Sequence, residues 1–178
     1  MMHLVTGGSG SGKSAYAVEQ ILKAPEKRRI YIATMLPFGE EGRLRVQRHR
    51  RMRRDKGFET VECYTNLSGL EIPEGCAVLL ECVSNLTANE MYQEEGAGEK
   101  TFQAVTEGIR SLKKQAGTFV AVTNEVFSDG ISYDASTMKY METLGRINRE
   151  LVREADRATE VVYGIPVSIK SDSALRGR

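Results

Sequence analysis

The segment with the clearest chemical potential reads Gly7-Gly8-Ser9-Gly10-Ser11-Gly12-Lys13-Ser14 and fits the phosphate-binding pattern G-x-x-x-x-G-K-[ST]. Glycines allow the backbone N–H groups to turn inward around an anion, and the helix that follows adds partial positive charge. Lys13 would reach the β- and γ-phosphates of a nucleoside triphosphate, and the Ser14 hydroxyl would hold Mg²⁺. The alternative is a glycine-rich turn before a helix. The apolar residues before the loop and the helical pattern after it favour the phosphate site.

A second segment, from Glu40 to Lys56, contains seven arginines and a single histidine, His49. We expect a helix, because the segment has no proline and begins with acidic residues. Its apolar residues form no continuous stripe, so it is a poor core helix. At helical spacing Arg45, His49 and Arg53 share one face. Three interpretations stay open: a solvated basic face, a nucleic-acid patch, or a clamp for a polyanionic substrate with His49 as the reacting group.

Polar residues also follow several apolar runs. Thr34 ends the run 29–33, Glu81 ends the run 77–80, and Asn124 and Glu125 follow the run 119–123. Ligands of open parallel sheets bind at the carboxyl ends of strands, so these residues are candidates for one site. Glu81 resembles the strand-end carboxylate that serves the metal site of phosphate-loop enzymes, where Asp is commoner. An ordinary strand end is the alternative.

Strand and helix patterns alternate along the chain. We predict strands at 3–6, 29–34, 59–64, 77–83 and 119–123, then two short strands within 160–169, where Pro166 suggests a sheet edge. We predict helices at 15–23, 40–56, 84–92, 102–115 and 136–158, and a turn at Ser128-Asp129-Gly130. This order predicts an α/β protein in three layers, with a mostly parallel sheet and helices on both faces.

Composition limits the class of protein. The chain has 178 residues, which suits one domain over 1–170 with a flexible tail at 171–178. Lys and Arg number 25 and Asp and Glu 24, a net charge of +1 that argues against a protein devoted to coating nucleic acid or membrane. Three cysteines without a C-x-x-C pair argue against a disulfide framework. We see no signal peptide and no apolar run near the ~20 residues of a membrane span. We therefore expect a soluble cytoplasmic protein.

Taken together, the motifs resemble one enzyme family in order and spacing, over nearly the whole chain to about Lys170. The family is the bifunctional adenosylcobinamide kinase/adenosylcobinamide-phosphate guanylyltransferase of cobalamin biosynthesis. The resemblance rests on Gly7 to Ser14, Tyr31-Ile32-Ala33-Thr34, Arg45-Val46-Gln47-Arg48-His49-Arg50, Leu79-Leu80-Glu81-Cys82 and Val122-Thr123-Asn124-Glu125-Val126. It implies a P-loop NTPase fold of the RecA type and a homotrimer.

The resemblance also implies two reactions that use Mg²⁺, GTP and ATP. A nucleoside triphosphate phosphorylates adenosylcobinamide, and GMP then passes from GTP, through a guanylylated histidine, to give adenosylcobinamide-GDP. The family's guanylylated histidine corresponds to His49. The implied nucleotide contacts are Gly7, Gly8, Ser9, Gly10, Ser11, Gly12, Lys13, Ser14, Thr34, Met35, Leu36, Arg50, Arg51, Met52, Arg53, Glu62 and Glu81.

The residues suit this chemistry independently of the resemblance. A neutral imidazole is a competent nucleophile toward phosphorus, and surrounding arginines disfavour imidazolium while binding phosphate oxygens. Guanine has two adjacent N–H donors that a carboxylate can accept, and either Glu62 or Glu81 could serve. We expect the other histidine, His3, to be dispensable at the start of the first strand.

Two rival functions stay open. One is a P-loop small-molecule kinase in which His49 is a bystander. The other is a nucleic-acid-dependent ATPase that uses the arginine face, against which the near-zero net charge and few aromatic residues argue. Either rival would leave His49 free of covalent nucleotide.

Overall fold

The computed structural model describes residues 1–127, 130, 131 and 133–171. Ser128 and Asp129 of the predicted turn, and 172–178 of the predicted tail, lie outside this range. The strands are β1 (Met2–Thr6), β2 (Arg29–Ala33), β3 (Phe58–Glu62), β4 (Ala77–Glu81), β5 (Thr118–Val122), β6 (Arg157–Val162) and β7 (Ile165–Lys170). The helices are α1 (Lys13–Leu22), α2 (Gly39–Arg53), α3 (Val83–Tyr92), α4 (Thr101–Gln115) and α5 (Ala135–Glu154), with short 3₁₀ turns at Leu67–Gly69 and Gly98–Lys100.

The seven strands form one sheet in the order β3-β2-β4-β5-β1-β6-β7. Strands β1 to β6 pair in parallel, and only the hairpin of β6 and β7 is antiparallel. This confirms the predicted α/β fold with a mostly parallel sheet. Pro166 lies in β7, at the edge of the sheet, as the sequence predicts.

Residue alternation along the central strands divides the core into two layers. On one face Val78 and Leu80 of β4 join a cluster with the apolar sides of α3, α4 and α5. On the other face Leu79 of the same strand joins α1, Tyr31 and Met52. Because strand β4 is buried on both faces, its sequence is a continuous apolar run rather than an alternating one.

Two predicted helix ends were wrong. The helix α5 ends at Glu154 rather than at Ala158, because the chain turns to pair with β1: the Asp156 N–H donates to the Met2 carbonyl at 2.9 Å and β6 begins at Arg157. The helix α2 ends at Arg53 rather than at Lys56, because Asp55 has a φ of 61° and leaves the helical conformation. Pairing with the sheet thus ends α5, and a left-handed residue ends α2.

His3 is the second residue of β1 and is 2% exposed, so its side chain is part of the protein core. Its Nε2 lies 2.8 Å from the Thr159 hydroxyl on the neighbouring strand β6. Within the described residues, none of the helices has the length and apolar composition to span a membrane.

Candidate active site

The loop between β1 and α1 has the geometry of an anion cradle. Gly12, directly before α1, has a φ of 94°, a conformation that residues with a Cβ rarely adopt. A Cβ on Gly7 would approach the Val161 carbonyl oxygen to 2.6 Å, so this position also requires glycine. The Lys13 ammonium donates to the Gly8 carbonyl at 3.0 Å and therefore lies over the loop. Burial lowers the pKa of Lys13, although the charge of Glu81 opposes that shift.

Glu81 lies at the floor of the site, at the carboxyl end of β4, and is 7% exposed. The Ser14 hydroxyl donates to its Oε1, and the Tyr31 hydroxyl donates to its Oε2 at 2.9 Å. Burial alone would raise the pKa of the Glu81 carboxyl, but contacts with His49, Ser14 and Tyr31 hold it below its usual value. The carboxylate is therefore charged beside the phosphate loop, as a metal-site acid must be.

The basic helix α2 brings His49 to this floor. The Nδ1 atom of His49 lies 3.4 Å from Glu81 Oε2, and the imidazole is 14% exposed. That contact is longer than a good hydrogen bond, and Nδ1 is buried without a hydrogen-bond partner among the described residues. A carboxylate facing Nδ1 favours the tautomer with the proton on Nδ1, which leaves the Nε2 lone pair free to attack phosphorus.

Arg53 follows His49 by one helical turn and is 8% exposed. Its guanidinium carbon lies 3.4 Å from the centroid of the Tyr31 ring, a close cation–π stack. Burial lowers the pKa of Arg53, and the nearby Tyr31 and Glu81 oppose that shift. Burial also raises the pKa of the Tyr31 hydroxyl, which therefore stays a proton donor.

The phosphate loop, Glu81 and α2 enclose a cleft of 760 Å³. Of the residues that the sequence proposes as contacts, twelve line it: Ser9, Gly10, Gly12, Lys13, Ser14, Met35, His49, Arg50, Met52, Arg53, Glu62 and Glu81. Arg45, His49 and Arg53 all line it, as their helical spacing predicts. The basic helix thus has the geometry of a clamp around an anionic ligand.

Six proposed contacts do not line this cleft, among them Gly7, Gly8, Ser11, Leu36 and the exposed Arg51. The sixth, Thr34, is completely buried. Its hydroxyl accepts from the Cys82 N–H at 2.7 Å and donates to the Cys82 carbonyl at 2.8 Å. The Thr34 side chain therefore joins β2 to the end of β4.

Glu62 lies at the end of the edge strand β3, two strands from Glu81, and its side chain is 51% exposed. Arg50 lies 3.4 Å from its Oε1, and the Tyr64 hydroxyl donates to its Oε2 at 2.9 Å. A smaller hollow of 450 Å³ adjoins this end of the cleft and shares Arg50, Arg53 and Glu62 with it. Glu62 is thus open to a ligand, whereas Glu81 is engaged by Ser14, Tyr31 and His49.

Some residues of the cleft were not predicted as site residues. The sequence places Tyr31 in a buried strand and in a family motif but gives it no site role, although a tyrosine in such a strand needs a partner for its hydroxyl, which is a usable signal. Asn85, at the start of α3, was missed altogether, since nothing in the sequence distinguishes it from a helix surface residue. Asn124 and Glu125, by contrast, line the cleft beside the phosphate loop as their strand-end position predicts, and the Glu125 N–H donates to the Gly7 carbonyl at 3.1 Å.

The fold and the site define a nucleotide-binding enzyme of the phosphate-loop α/β class. The family model described as cobinamide kinase / cobinamide phosphate guanyltransferase matches residues 3–169. The chain belongs to that family, and it is an enzyme with the kinase and guanyltransferase activities that define it.

Curated relatives agree with this assignment. The chain is 32% identical to the bifunctional adenosylcobalamin biosynthesis protein CobU of Salmonella typhimurium strain LT2 over 184 residues, which cover 96% of this chain and 100% of the relative. It is also 32% identical to CobU of Escherichia coli strain K12, with the same coverage. Among solved structures, an ATPase from the type III secretion system of pathogenic bacteria superposes with a TM-score of 0.57 at 11% identity, covering 94% of this chain and 56% of that one. That likeness shows the fold alone.

Proposed function

We propose that the protein phosphorylates adenosylcobinamide with GTP or ATP, and then transfers GMP from GTP to adenosylcobinamide phosphate through a guanylylated His49. The product of the second reaction is adenosylcobinamide-GDP. The observation that carries the proposal is the position of His49 in the phosphate-loop cleft, with Nδ1 facing Glu81 at 3.4 Å. If α2 were only a solvent-exposed basic face, His49 would not be expected to lie against a buried carboxylate.

The covalent step follows from this arrangement. The Nε2 lone pair of His49 attacks the α-phosphorus of GTP, the N–P bond forms, and the bond from the α-phosphorus to the bridging oxygen breaks to release pyrophosphate. Glu81 stabilises the positive charge that develops on the imidazole. The phosphate oxygen of the acceptor then attacks the same phosphorus, the N–P bond breaks, and His49 is restored. Arg45, Arg48 and Arg50 of α2, which line the cleft, neutralise the phosphate charge in both halves.

Mg²⁺ fits the floor of the cleft. Ser14 and Glu81 contact each other there, and a hydroxyl and a carboxylate are oxygen ligands of the kind that Mg²⁺ takes beside substrate phosphates. The ion would neutralise charge on the triphosphate, and Ser14 would hold it directly. This chain's residues supply the remaining functions: Lys13 binds the phosphates and His49 provides the nucleophile.

The test is the fate of labelled GTP in the presence of Mg²⁺. GTP labelled at the α-phosphate should leave label on the protein, whereas GTP labelled at the γ-phosphate should leave none. The bond should break in acid and survive base, as a phosphoramidate does and a serine ester does not. His49→Asn should lose the label while retaining GTP binding. A wild-type protein that takes no α-label, or a His49→Asn variant that still does, would leave a P-loop kinase without a covalent intermediate as the better account.

We further infer that the protein is a homotrimer and that it is located in the cytoplasm. Its substrates are small molecules rather than nucleic acid. The trimer comes from the family resemblance, and the exposed apolar residues of β7 are consistent with a covered surface. Fractionation of cells that express the chain would test the compartment.

A further inference from the structure

We infer that Arg53 and Tyr31 are positioning residues, whose stack holds α2 against the sheet so that His49 faces Glu81. The inference rests on the proposed role of His49 for its chemical readout. It gives Arg53 a different role from the nucleotide contact that the family resemblance implies for it.

The helix α2 has few other attachments to the rest of the protein. Arg53 is its only buried residue. Its ion pair between Arg45 and Glu41 lies within the helix, and the pair of Arg50 with Glu62 is exposed on both sides. Among its apolar residues Met52 packs partly against the core, beside Arg53. The contact with the sheet is therefore concentrated in the last turn of the helix.

Tyr31 joins this last turn to the floor of the active site. One face of its ring carries the Arg53 guanidinium at 3.4 Å, and its hydroxyl donates to Glu81 Oε2 at 2.9 Å. The same Glu81 oxygen faces His49 Nδ1. The Phe58 ring packs against Tyr31 in a T-shaped arrangement, with 6.3 Å between the centroids, which limits how far the Tyr31 ring can shift. Tyr31 of β2 thus contacts α2 through Arg53 and the end of β4 through Glu81.

The spacing along α2 makes the stack mechanically relevant to His49. His49 and Arg53 are four residues apart, so they lie on one face, one helical turn above the other. A small tilt of the helix about its last turn would move His49 away from Glu81 and from the phosphate that it attacks. Misplacement by about 1 Å is enough to cost about 100-fold in rate. Holding the last turn in place therefore matters more to the covalent step than to binding of GTP.

The experiment separates positioning from nucleotide contact by a split between rate and affinity. In Arg53→Met the side chain keeps an unbranched apolar stem but loses the planar cation. We expect the rate of α-label uptake at saturating GTP to fall about tenfold, the effect of losing a desolvated cation–π contact, while the KM for GTP stays within about twofold. The matched control is Lys56→Met, which removes a positive charge three residues later from a side chain that lines neither cavity, and it should label like the wild type.

Two further variants keep the result interpretable. Arg53→Lys keeps the charge but loses the flat guanidinium, so it should stay nearly as slow as Arg53→Met. Tyr31→Phe keeps the ring for stacking but loses the hydroxyl that donates to Glu81, so it should fall between the wild type and Arg53→Met. A labelling rate in Arg53→Lys equal to that of the wild type would mean that only the positive charge is needed. That result would overturn the positioning role of the stack.

A second readout does not depend on the chemistry. Amide hydrogen exchange should be faster along α2 in Arg53→Met than in the wild type and unchanged in α1. A higher KM for GTP with an unchanged saturated rate and unchanged exchange would assign Arg53 to the nucleotide and overturn the inference. If the wild type takes no label, the proposed function fails by itself. Hydrogen exchange alone then tests whether Arg53 and Tyr31 hold α2 in place. Faster exchange of α2 in Arg53→Met than in the wild type supports this role, and equal exchange overturns it.

Discussion

Glu81 Oε2 and His49 Nδ1 lie 3.4 Å apart at the floor of the phosphate-loop cleft, where both side chains are almost fully shielded from solvent. Glu81 comes from the end of β4 and His49 from the exposed helix α2, so the contact joins the sheet to an otherwise loosely attached element. The carboxylate also accepts from Ser14, which ties the proposed nucleophile His49 to the end of the phosphate loop where we propose that Mg²⁺ binds. Glu81 therefore contacts both His49 and the Ser14 hydroxyl.

We predict that Glu81→Gln slows labelling of His49 by about 10- to 100-fold and raises the Mg²⁺ concentration required for half-maximal rate. The amide cannot stabilise an imidazolium and is a weaker partner for a cation site. The preference for GTP over ATP should be unchanged, because the carboxylate is engaged by protein groups. The measurement is a Mg²⁺ titration of α-label uptake with each nucleotide. A lost GTP preference with a normal Mg²⁺ requirement would instead make Glu81 the reader of guanine.

We predict that Lys13→Ala reduces both activities by at least about 100-fold in kcat/KM, because both reactions begin from a triphosphate held in the same loop. Kinase turnover of adenosylcobinamide and α-label uptake should be measured side by side. Lys23→Ala, at the exposed far end of α1, is the control and should retain both. Unchanged GTP affinity and turnover in Lys13→Ala would contradict the assignment of the loop.

We predict that Glu62→Gln erodes the discrimination of GTP from ATP by about 10- to 100-fold, since the amide replaces one of two acceptors for the guanine N–H groups with a donor. Glu62 is open to solvent at the end of the cleft and is held by Arg50 and Tyr64 rather than by a buried network. The measurement compares kcat/KM for the two nucleotides. Glu59→Gln, on the same strand but paired with Arg28 at 2.7 Å, is the control. Discrimination that survives in Glu62→Gln would exclude this carboxylate as the reader.

The sequence predicted the sheet and the phosphate loop well, because both depend on local patterns. Continuous apolar runs predict buried parallel strands, and the spacing of Gly12, Lys13 and Ser14 specifies a turn into a helix. It also predicted that Arg45, His49 and Arg53 share a face, which needs only the helical period. It did not predict that Tyr31 would link Arg53 to Glu81. That link depends on the order of β2 and β4 in the sheet and on the tilt of α2, which are tertiary quantities.

We predict that the edge strand β7 is covered by another subunit of the homotrimer that the family resemblance implies. Ile165, Val167 and Ile169 are each about half exposed or more, at 65%, 48% and 53%. Exposed apolar edge strands are unusual in a monomer because they invite association. Val167→Lys should therefore give a smaller particle by light scattering at micromolar concentration, with the circular dichroism of the wild type. A monomeric mass for the wild type under the same conditions would contradict the trimer.

The last prediction concerns acid stability and uses the buried histidine of the first strand. Burial, and then the charge of Arg157, lower the pKa of His3 from 6.5 to about 4 in the folded protein. In the unfolded chain the imidazole takes up its proton as the pH falls through 6.5, whereas the folded protein resists until about pH 4. The free energy of unfolding should therefore decrease between these two values and lose no more from this group below pH 4, by about 2 to 3 kcal/mol in total.

The measurement is urea unfolding at a fixed protein concentration and at several pH values from 8 to 4.5, for the wild type and His3→Leu. The variant removes the titrating group and keeps an apolar side chain in the site, although it loses the contact with the Thr159 hydroxyl. It should be somewhat less stable than the wild type at pH 8, by about 1 kcal/mol for a lost hydrogen bond. Its stability should fall less steeply as the pH decreases, so that the two curves cross below pH 6.5 and the variant is the more stable protein at pH 4.5. Parallel curves over the whole range would mean that His3 is protonated as readily in the folded protein as in the unfolded chain.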